Sequence, residues 1–568
     1  MSKSHLIALG LDFGTESVRS LLVGLDGREV GSAVARYPHG QITERLPTTG
    51  ERLPADFALQ DPRDWIDTSA KAVRQALRRS KVEGRDVIAI GVDFTSCTML
   101  PALRDGTPLC ELKAFTKEKF AWPKLWKHHG AQSQTDRLNA VARERREPWL
   151  DRYGGTIGLE WFFPKVLETL NNAPRVYDAA EVWLEAGDWY VWRLVGGAAE
   201  QLPRSTCQAG YKAMWNAAGG YPSREFFAAL DPKMADVVQQ KMRGRLLAPG
   251  EAAGELSAEM AKRLGLPPGI AVSAAVIDAH AGVPGAGVAE PDTLVMVMGT
   301  SSCHMLNSRI EALVPGVAGV VDGGILPGFF GYETGQAAVG DAFDWFRRLV
   351  GARDFAALSR KAAALPPGAE GAACVDWFNG CRTPLMDGSL KGAFAGLSLG
   401  HGPAHLYRAI LEASAFGLRW IVELFEAGDV PVKRLVATGG LPHHNPLLLH
   451  IYADTLGREI LVPPSKQGPA LGAAILGVLA AGKKVTGFSS PSAAICAMAG
   501  PRKSPAAITV RPDRRNRKTY DELYRRYRQL ADYFSRKHEP VTVHGGDGYV
   551  ELHHGGTEKR NEKLESRE

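Results

Sequence analysis

Cysteine is scarce in this chain, with seven in 568 residues. The seven stand at positions 97, 110, 207, 303, 374, 381 and 496. They are odd in number and never in C-x-x-C spacing, which argues against a disulfide framework or a cysteine-built metal centre and predicts reduced, mostly buried thiols. Long apolar runs are missing as well. No unbroken stretch reaches the roughly 18 residues that cross a bilayer. The run from Leu6 to Leu11 is too short for a signal-peptide core, and Asp12 ends it without a small-residue cleavage site. A cytoplasmic protein without a membrane segment is the expectation. Nor is there an excess of charge, since 68 basic against 62 acidic residues leave +6, which gives no reason to expect a nucleic-acid or anionic-membrane partner. Common nucleotide-binding designs are absent too. There is no GxxxxGK loop followed by Ser or Thr, and no protein-kinase HRD or DFG set; the glycines at 282, 285 and 287 follow no clear strand. The histidine pairs 128–129, 443–444 and 553–554 point to different faces of any helix or strand, a poor arrangement for a metal.

What is present begins with length, which exceeds what one core accommodates and predicts two large domains. From Leu6 to Val23 the chain reads as an apolar strand, a turn through Gly14, Thr15 and Ser17, and a second strand. Turn chemistry at Asp26-Gly27 and a third strand over 29–37 complete an antiparallel meander. The layout returns from Thr293 to Met305 around Gly299-Thr300-Ser301. Either turn alone reads as an ordinary hairpin, and the repetition carries a stronger reading. Glycine lets backbone N–H groups approach phosphate oxygens, so Gly14, Thr15, Gly299, Thr300 and Ser301 form a candidate polyphosphate site, with Asp12 placed to hold Mg²⁺. Asp61-Pro62-Arg63-Asp64 signals a helix start, residues 87–95 a buried strand, and 434–440 a strand ending in paired glycines. Helices are expected at 445–456 and, rich in small residues, at 468–477. Another over 520–534 alternates an aromatic stripe with arginines: it either docks on the second domain or offers a nucleic-acid surface. A flexible charged tail is expected at 541–568.

Together these segments, with 92–95, 124–129, 211–215, 277–282 and 332–336, resemble the FGGY carbohydrate kinases over about residues 5–537, and within them the ribulokinase group. The hairpins and paired glycines fit the wider superfamily shared with hexokinase, actin and chaperone ATPases; the tryptophan, lysine and glutamate segments point to the narrower group. The resemblance implies an α/β protein of two actin-like (ribonuclease H-like) domains with an interdomain active-site cleft. Residues 1–285 would bind the sugar and 286–540 the nucleotide. It implies Asp278 as catalytic base, Lys212 and Glu333 hydrogen-bonding the sugar, and Trp126 packing against it. Gly439, Gly440 and Asn445, beside Thr438, are implied to hold the adenosine, with Gly472 contributing from the following helix. Ser96 stands where the group commonly has a small apolar residue and adds a hydroxyl beside the sugar. The implied reactants are ATP with Mg²⁺ and L-ribulose or a related 2-ketopentose, as in L-arabinose catabolism, and a homodimer is compatible with the resemblance. On the residues alone, Asp278 reads equally as a helix cap, Lys212 and Glu333 as surface charges, and Trp126 as core. Two other functions stay open: the same chemistry on xylulose, D-ribulose or glycerol, and an actin-like ATP-binding chaperone or regulator.

Overall fold

The computed structural model describes residues 6–500 and 507–536; the tail expected at 541–568 lies outside the described residues. Strand β1 (Ile7–Phe13) is buried along its whole length, as suits an apolar run paired on both edges. On one edge it forms an antiparallel hairpin with β2 (Ser17–Gly24), and β3 (Glu29–Arg36) continues the meander. On the other edge it pairs in parallel with β4 (Val87–Phe94). The crossover between them is the helix Pro62–Ser80, started by a proline in its first turn and capped by Asp61, whose carboxylate accepts from the Arg63 N–H at 2.9 Å. Strands β5 (Ala252–Glu255), β6 (Ala271–Ser273) and β7 (Val276–Ile277) complete a seven-stranded sheet of order β3-β2-β1-β4-β6-β5, with β7 beside the end of β4.

The second sheet repeats this plan. Its strands are β8 (Thr293–Met298), β9 (Ser302–Ser308), β10 (Gly319–Asp322), β11 (Phe330–Gln336), β12 (Arg434–Thr438), β13 (Ile460–Val462) and β14 (Ile508–Val510), in the order β10-β11-β9-β8-β12-β13-β14. Again a hairpin, β8 with β9, is followed across the sheet by a parallel neighbour, β12. The repetition read from the two Gly-Thr turns therefore extends to the centre of each sheet, an antiparallel hairpin beside a parallel neighbour, and the fold is the two-domain α/β architecture expected.

Between the sheets lies a core drawn from both, including Ala8 and Ala89 of the first, Val295 and Val436 of the second, and Leu471 and Ile475. The helices crossing there are exchanged. Asp278–Gly285, from the first half of the chain, lies against β8 and β9, while Gly468–Thr486, from the second half, lies across β1 and β4. Only small residues permit this approach: a Cβ at Gly91 would run into the Ala473 carbonyl, and one at Gly472 into that of Ala281. The same helix corrects one expectation. At 19 residues and a mean hydropathy of 1.2, Gly468–Thr486 is, among the described residues, long and apolar enough to cross a membrane. It escaped notice because glycine and alanine dilute the run, and its apolarity serves burial between the sheets. A second ambiguity also resolves. In the helix Arg517–Ser535, Tyr520, Tyr524 and Tyr527 are buried against the second domain, their hydroxyls meeting Glu412 at 3.4 Å, Glu423 at 2.6 Å and Asp376 at 2.9 Å. The aromatic stripe is thus core. All seven cysteines are free, five of them buried.

Candidate active site

Strand ends set the site. In β1 and β4 the sequence Gly-x-Asp-Phe recurs, as Gly10 to Phe13 and Gly91 to Phe94, and the parallel register places Asp12 beside Asp93 and Phe13 beside Phe94. The two phenylalanine rings stack at 4.7 Å on one face, so by strand alternation the two aspartates share the other. Asp12 accepts from Arg19 Nη1 at 2.8 Å across the hairpin. Asp93 is fully buried, no N–H or other fixed donor reaches its carboxyl oxygens, and its one side-chain hydrogen-bonding neighbour is the Asp12 carboxyl. Burial, and then the charges of Asp12 and Asp278, push its pKa well above the ordinary range. For Asp12, burial outweighs the opposing pull of Arg19 and the pKa is raised.

Strand β7 pairs with the end of β4, Val276 opposite Asp93, and delivers Asp278 two residues later at the start of its helix. Asp278 is half-buried, and its Oδ1 accepts the Ala279 N–H at 2.7 Å, leaving Oδ2 for other work. Burial, then the charge of Asp12, raises its pKa to about 7.

From the opposite domain comes Glu333, on β11, buried and paired with Lys212 at the end of the helix Thr206–Lys212; the Nζ to Oε1 distance is 2.7 Å. Arg382 donates to the same oxygen, while Glu333 Oε2 accepts no hydrogen bond although His280 Nε2 stands 3.4 Å away. Burial opposes ionisation of Glu333, but Lys212 and then Arg382 overcome it and bring its pKa down to about 2. Burial likewise opposes the Lys212 ammonium, and Glu333 overrides it, so that pKa is raised. His280 is held neutral, its pKa lowered to about 3 mainly by burial. The surface-charge reading of Lys212 and Glu333 is thereby excluded.

Around this centre the two hairpin turns are braced. Gly14 N–H donates to the Ser17 carbonyl at 3.0 Å, the Tyr37 hydroxyl to the Gly14 carbonyl at 3.1 Å, and the Trp126 indole to Thr15 Oγ1 at 3.0 Å. Trp126 is thus half-buried and tied to the first turn. Ser96 is half-buried in the turn that follows β4, next to Cys97 at φ +58°. In the second turn Gly299 N–H donates to the Ser301 carbonyl at 2.9 Å; Gly299 and Thr300 are exposed. The start of the following helix holds it, with Val339 and Asp341 N–H groups on the Thr300 carbonyl, each at 3.0 Å.

At the end of β12, Gly439 takes φ +97° against the Met298 backbone, and Gly440 is exposed with open space about it. Asn445 is buried, capping the helix Pro446–Leu456 through Leu448 N–H at 3.2 Å and donating to the Tyr407 hydroxyl at 3.3 Å. It therefore fixes the turn that follows the paired glycines. Gly472 stands against the Ala281 carbonyl where the exchanged helices cross, which gives it a packing role. Sequence reasoning assigned no role to Asp93, His280 or Arg382. The repeated Gly-x-Asp-Phe was the available signal for the first, and Arg382 arrives from a loop with no local signature.

Comparison with known proteins bears on the family and the fold. The signature of the FGGY family of carbohydrate kinases, N-terminal domain, matches residues 7–285, and that of the C-terminal domain matches 294–481. A ribulokinase of Geobacillus thermodenitrificans is 45% identical over 95% of this chain and 96% of its own length. A ribulokinase of Mycolicibacterium smegmatis is 44% identical over 93% and 94%. Among solved structures, the xylulose kinase of Rhodospirillum rubrum superposes with a TM-score of 0.74 at 22% identity, covering 93% of this chain and 100% of that one. Plasmodium falciparum glycerol kinase with ADP gives 0.71 at 16%, covering 94% and 98%; at such identities the likeness speaks for the fold.

Proposed function

The chain belongs to the FGGY family of carbohydrate kinases, and we propose that it transfers the γ-phosphoryl group of ATP to the terminal hydroxyl of L-ribulose, yielding L-ribulose 5-phosphate and ADP. One observation carries the reading: Asp278, a carboxylate with an uncommitted oxygen, stands within electrostatic reach of the buried Lys212–Glu333 pair contributed by the two domains. Relatives named ribulokinase, matched over nearly the whole chain, support a ribulose over xylulose or glycerol as acceptor.

In this reading the sugar lies between Ser96, Trp126, Lys212 and Glu333, with hydroxyls reaching the free Oε2 of Glu333 and the Lys212 ammonium. Asp278 Oδ2 takes the proton of the attacking hydroxyl, a role suited to a group whose pKa stands near working pH. The first and second hairpin turns, at Gly14-Thr15 and 299–301, offer backbone N–H groups to the phosphates, and the turn at Gly439-Gly440 offers a side-chain-free surface to the purine. Buried carboxyl oxygens around Asp12 fit a hard divalent cation, which keeps several waters and a few carboxylate contacts. When bound with ATP, Mg²⁺ neutralises phosphate charge; positioning and charge neutralisation are most of what phosphoryl transfer requires. Closure of the domains would exclude water as a rival acceptor, and a cytoplasmic setting supplies the ATP.

The test is ADP release measured against a sugar panel. L-Ribulose should give the highest kcat/KM, ahead of D-ribulose, xylulose and glycerol. ADP release indifferent to every sugar would favour the actin-like ATPase alternative, and preference for another member of the panel would move the substrate assignment.

A further inference from the structure

We propose that Asp93 is a second carboxylate of the cation site, holding with Asp12, directly or through water, the Mg²⁺ that accompanies ATP. The proposal rests on the kinase reading above. Its first support is the paired Gly-x-Asp-Phe of β1 and β4, in which every corresponding residue is a register partner: Gly10 with Gly91, Asp12 with Asp93, Phe13 with Phe94. The glycines admit the same interdomain helix, at Ala470 and Ala473, and the phenylalanines stack in the core. The aspartates are therefore presented side by side at the cleft end of one sheet face.

The second support is independent of that pattern. Asp93 is 0% exposed, no N–H or other fixed donor reaches either of its oxygens, and the one side chain within hydrogen-bonding reach is another carboxyl, Asp12. A buried carboxyl without donors is costly and is normally paired or bound to metal. Arg19, the cation nearest the pair, is spent on Asp12. Three carboxyl groups, Asp12, Asp93 and Asp278, act on one another here, so a divalent cation with oxygen ligands is the complement that the charge and chemistry call for.

The contrast with another acidic cluster is instructive. His39, Asp61 and Asp64 also converge. There, however, Arg63 occupies both oxygens of Asp61, and the His39 backbone and ring engage both oxygens of Asp64. That cluster is satisfied by an arginine, a histidine and a backbone N–H, whereas the Asp93 carboxyl meets only another carboxyl.

The test uses Mn²⁺ as a paramagnetic stand-in for Mg²⁺, titrated into full-length protein with saturating ADP while the free-ion EPR signal is followed. Asp93→Asn keeps the shape and removes the acid, and it is expected to weaken Mn²⁺ binding about 10–100-fold, the usual worth of a group that supports a metal. Asp93→Glu should retain binding more nearly. ADP affinity without metal, read by tryptophan fluorescence, should be unchanged in Asp93→Asn. Wild-type Mn²⁺ affinity in a cooperatively melting Asp93→Asn protein would overturn the proposal, as would an equal loss of metal-free ADP binding. If the Asn variant lacks a cooperative melt, Asp93→Ser is judged by the same criterion. Sugar-dependent ADP release by the wild type is followed in parallel; its absence would count against the kinase reading, while the Mn²⁺ comparison judges Asp93 alone.

Discussion

In the proposed reaction turnover depends on Asp278, and the environment of that residue sets a pH signature. Because the base acts deprotonated and its pKa stands at about 7 in the ligand-free protein, kcat/KM should fall as the pH drops below that value. The Asp278→Asn variant should lose this limb along with about 10²–10⁴-fold in kcat, the range a general base supplies. A retained acid limb in the variant would assign the titration to another group. Glu333 makes a different prediction. Glu333→Gln strips the shared carboxylate from both Lys212 and Arg382, a loss of about 3–5 kcal/mol for a broken buried pair. Lys212→Met leaves Glu333 with Arg382 and should cost less, which urea midpoints will rank. The sign with pH follows from the depressed pKa. Stability contributed by Glu333 is complete above the ordinary value of 4.5 and drains away as the pH falls toward about 2.

Among the elements, the exchanged helices are the least forgiving. Gly472 meets the Ala281 carbonyl, a backbone atom that cannot swing aside, so Gly472→Val should destabilise by about 1–3 kcal/mol or more, as overpacking does. The denaturant midpoint measures it, and an unchanged midpoint would show that the crossing can widen. Asn445→Ala removes the cap of the Pro446–Leu456 helix and should cost about 1 kcal/mol. Both helices were expected from composition and capping residues alone. Their partners were not, since nothing in 468–477 says which half of the chain it will lie upon.

At the scale of the molecule, a site split between domains ties ligand binding to stability. L-Ribulose at 100 times its Kd should stabilise the protein by about 2.7 kcal/mol, visible as a rise in Tm. Lys212→Met should abolish the sugar-induced rise and keep the one induced by ATP, because the proposed sugar and nucleotide contacts lie on different elements. Equal loss of both would indicate a general defect in domain packing.

Strand–turn–strand repeats, helix caps, the Gly-Thr turns and the paired glycines could be read directly from the residues, because each is governed by neighbours in sequence. Two domains and the candidate phosphate turns followed from them, and the resemblance implied Asp278, Lys212 and Glu333 as site residues. Folding in three dimensions decided the rest: that β1 and β4 align Asp12 with Asp93, that Arg382 arrives from a loop to share Glu333, and that the two central helices change places. These depend on register and on packing between segments far apart along the chain, and no local pattern encodes which distant backbone will come to rest against a given strand.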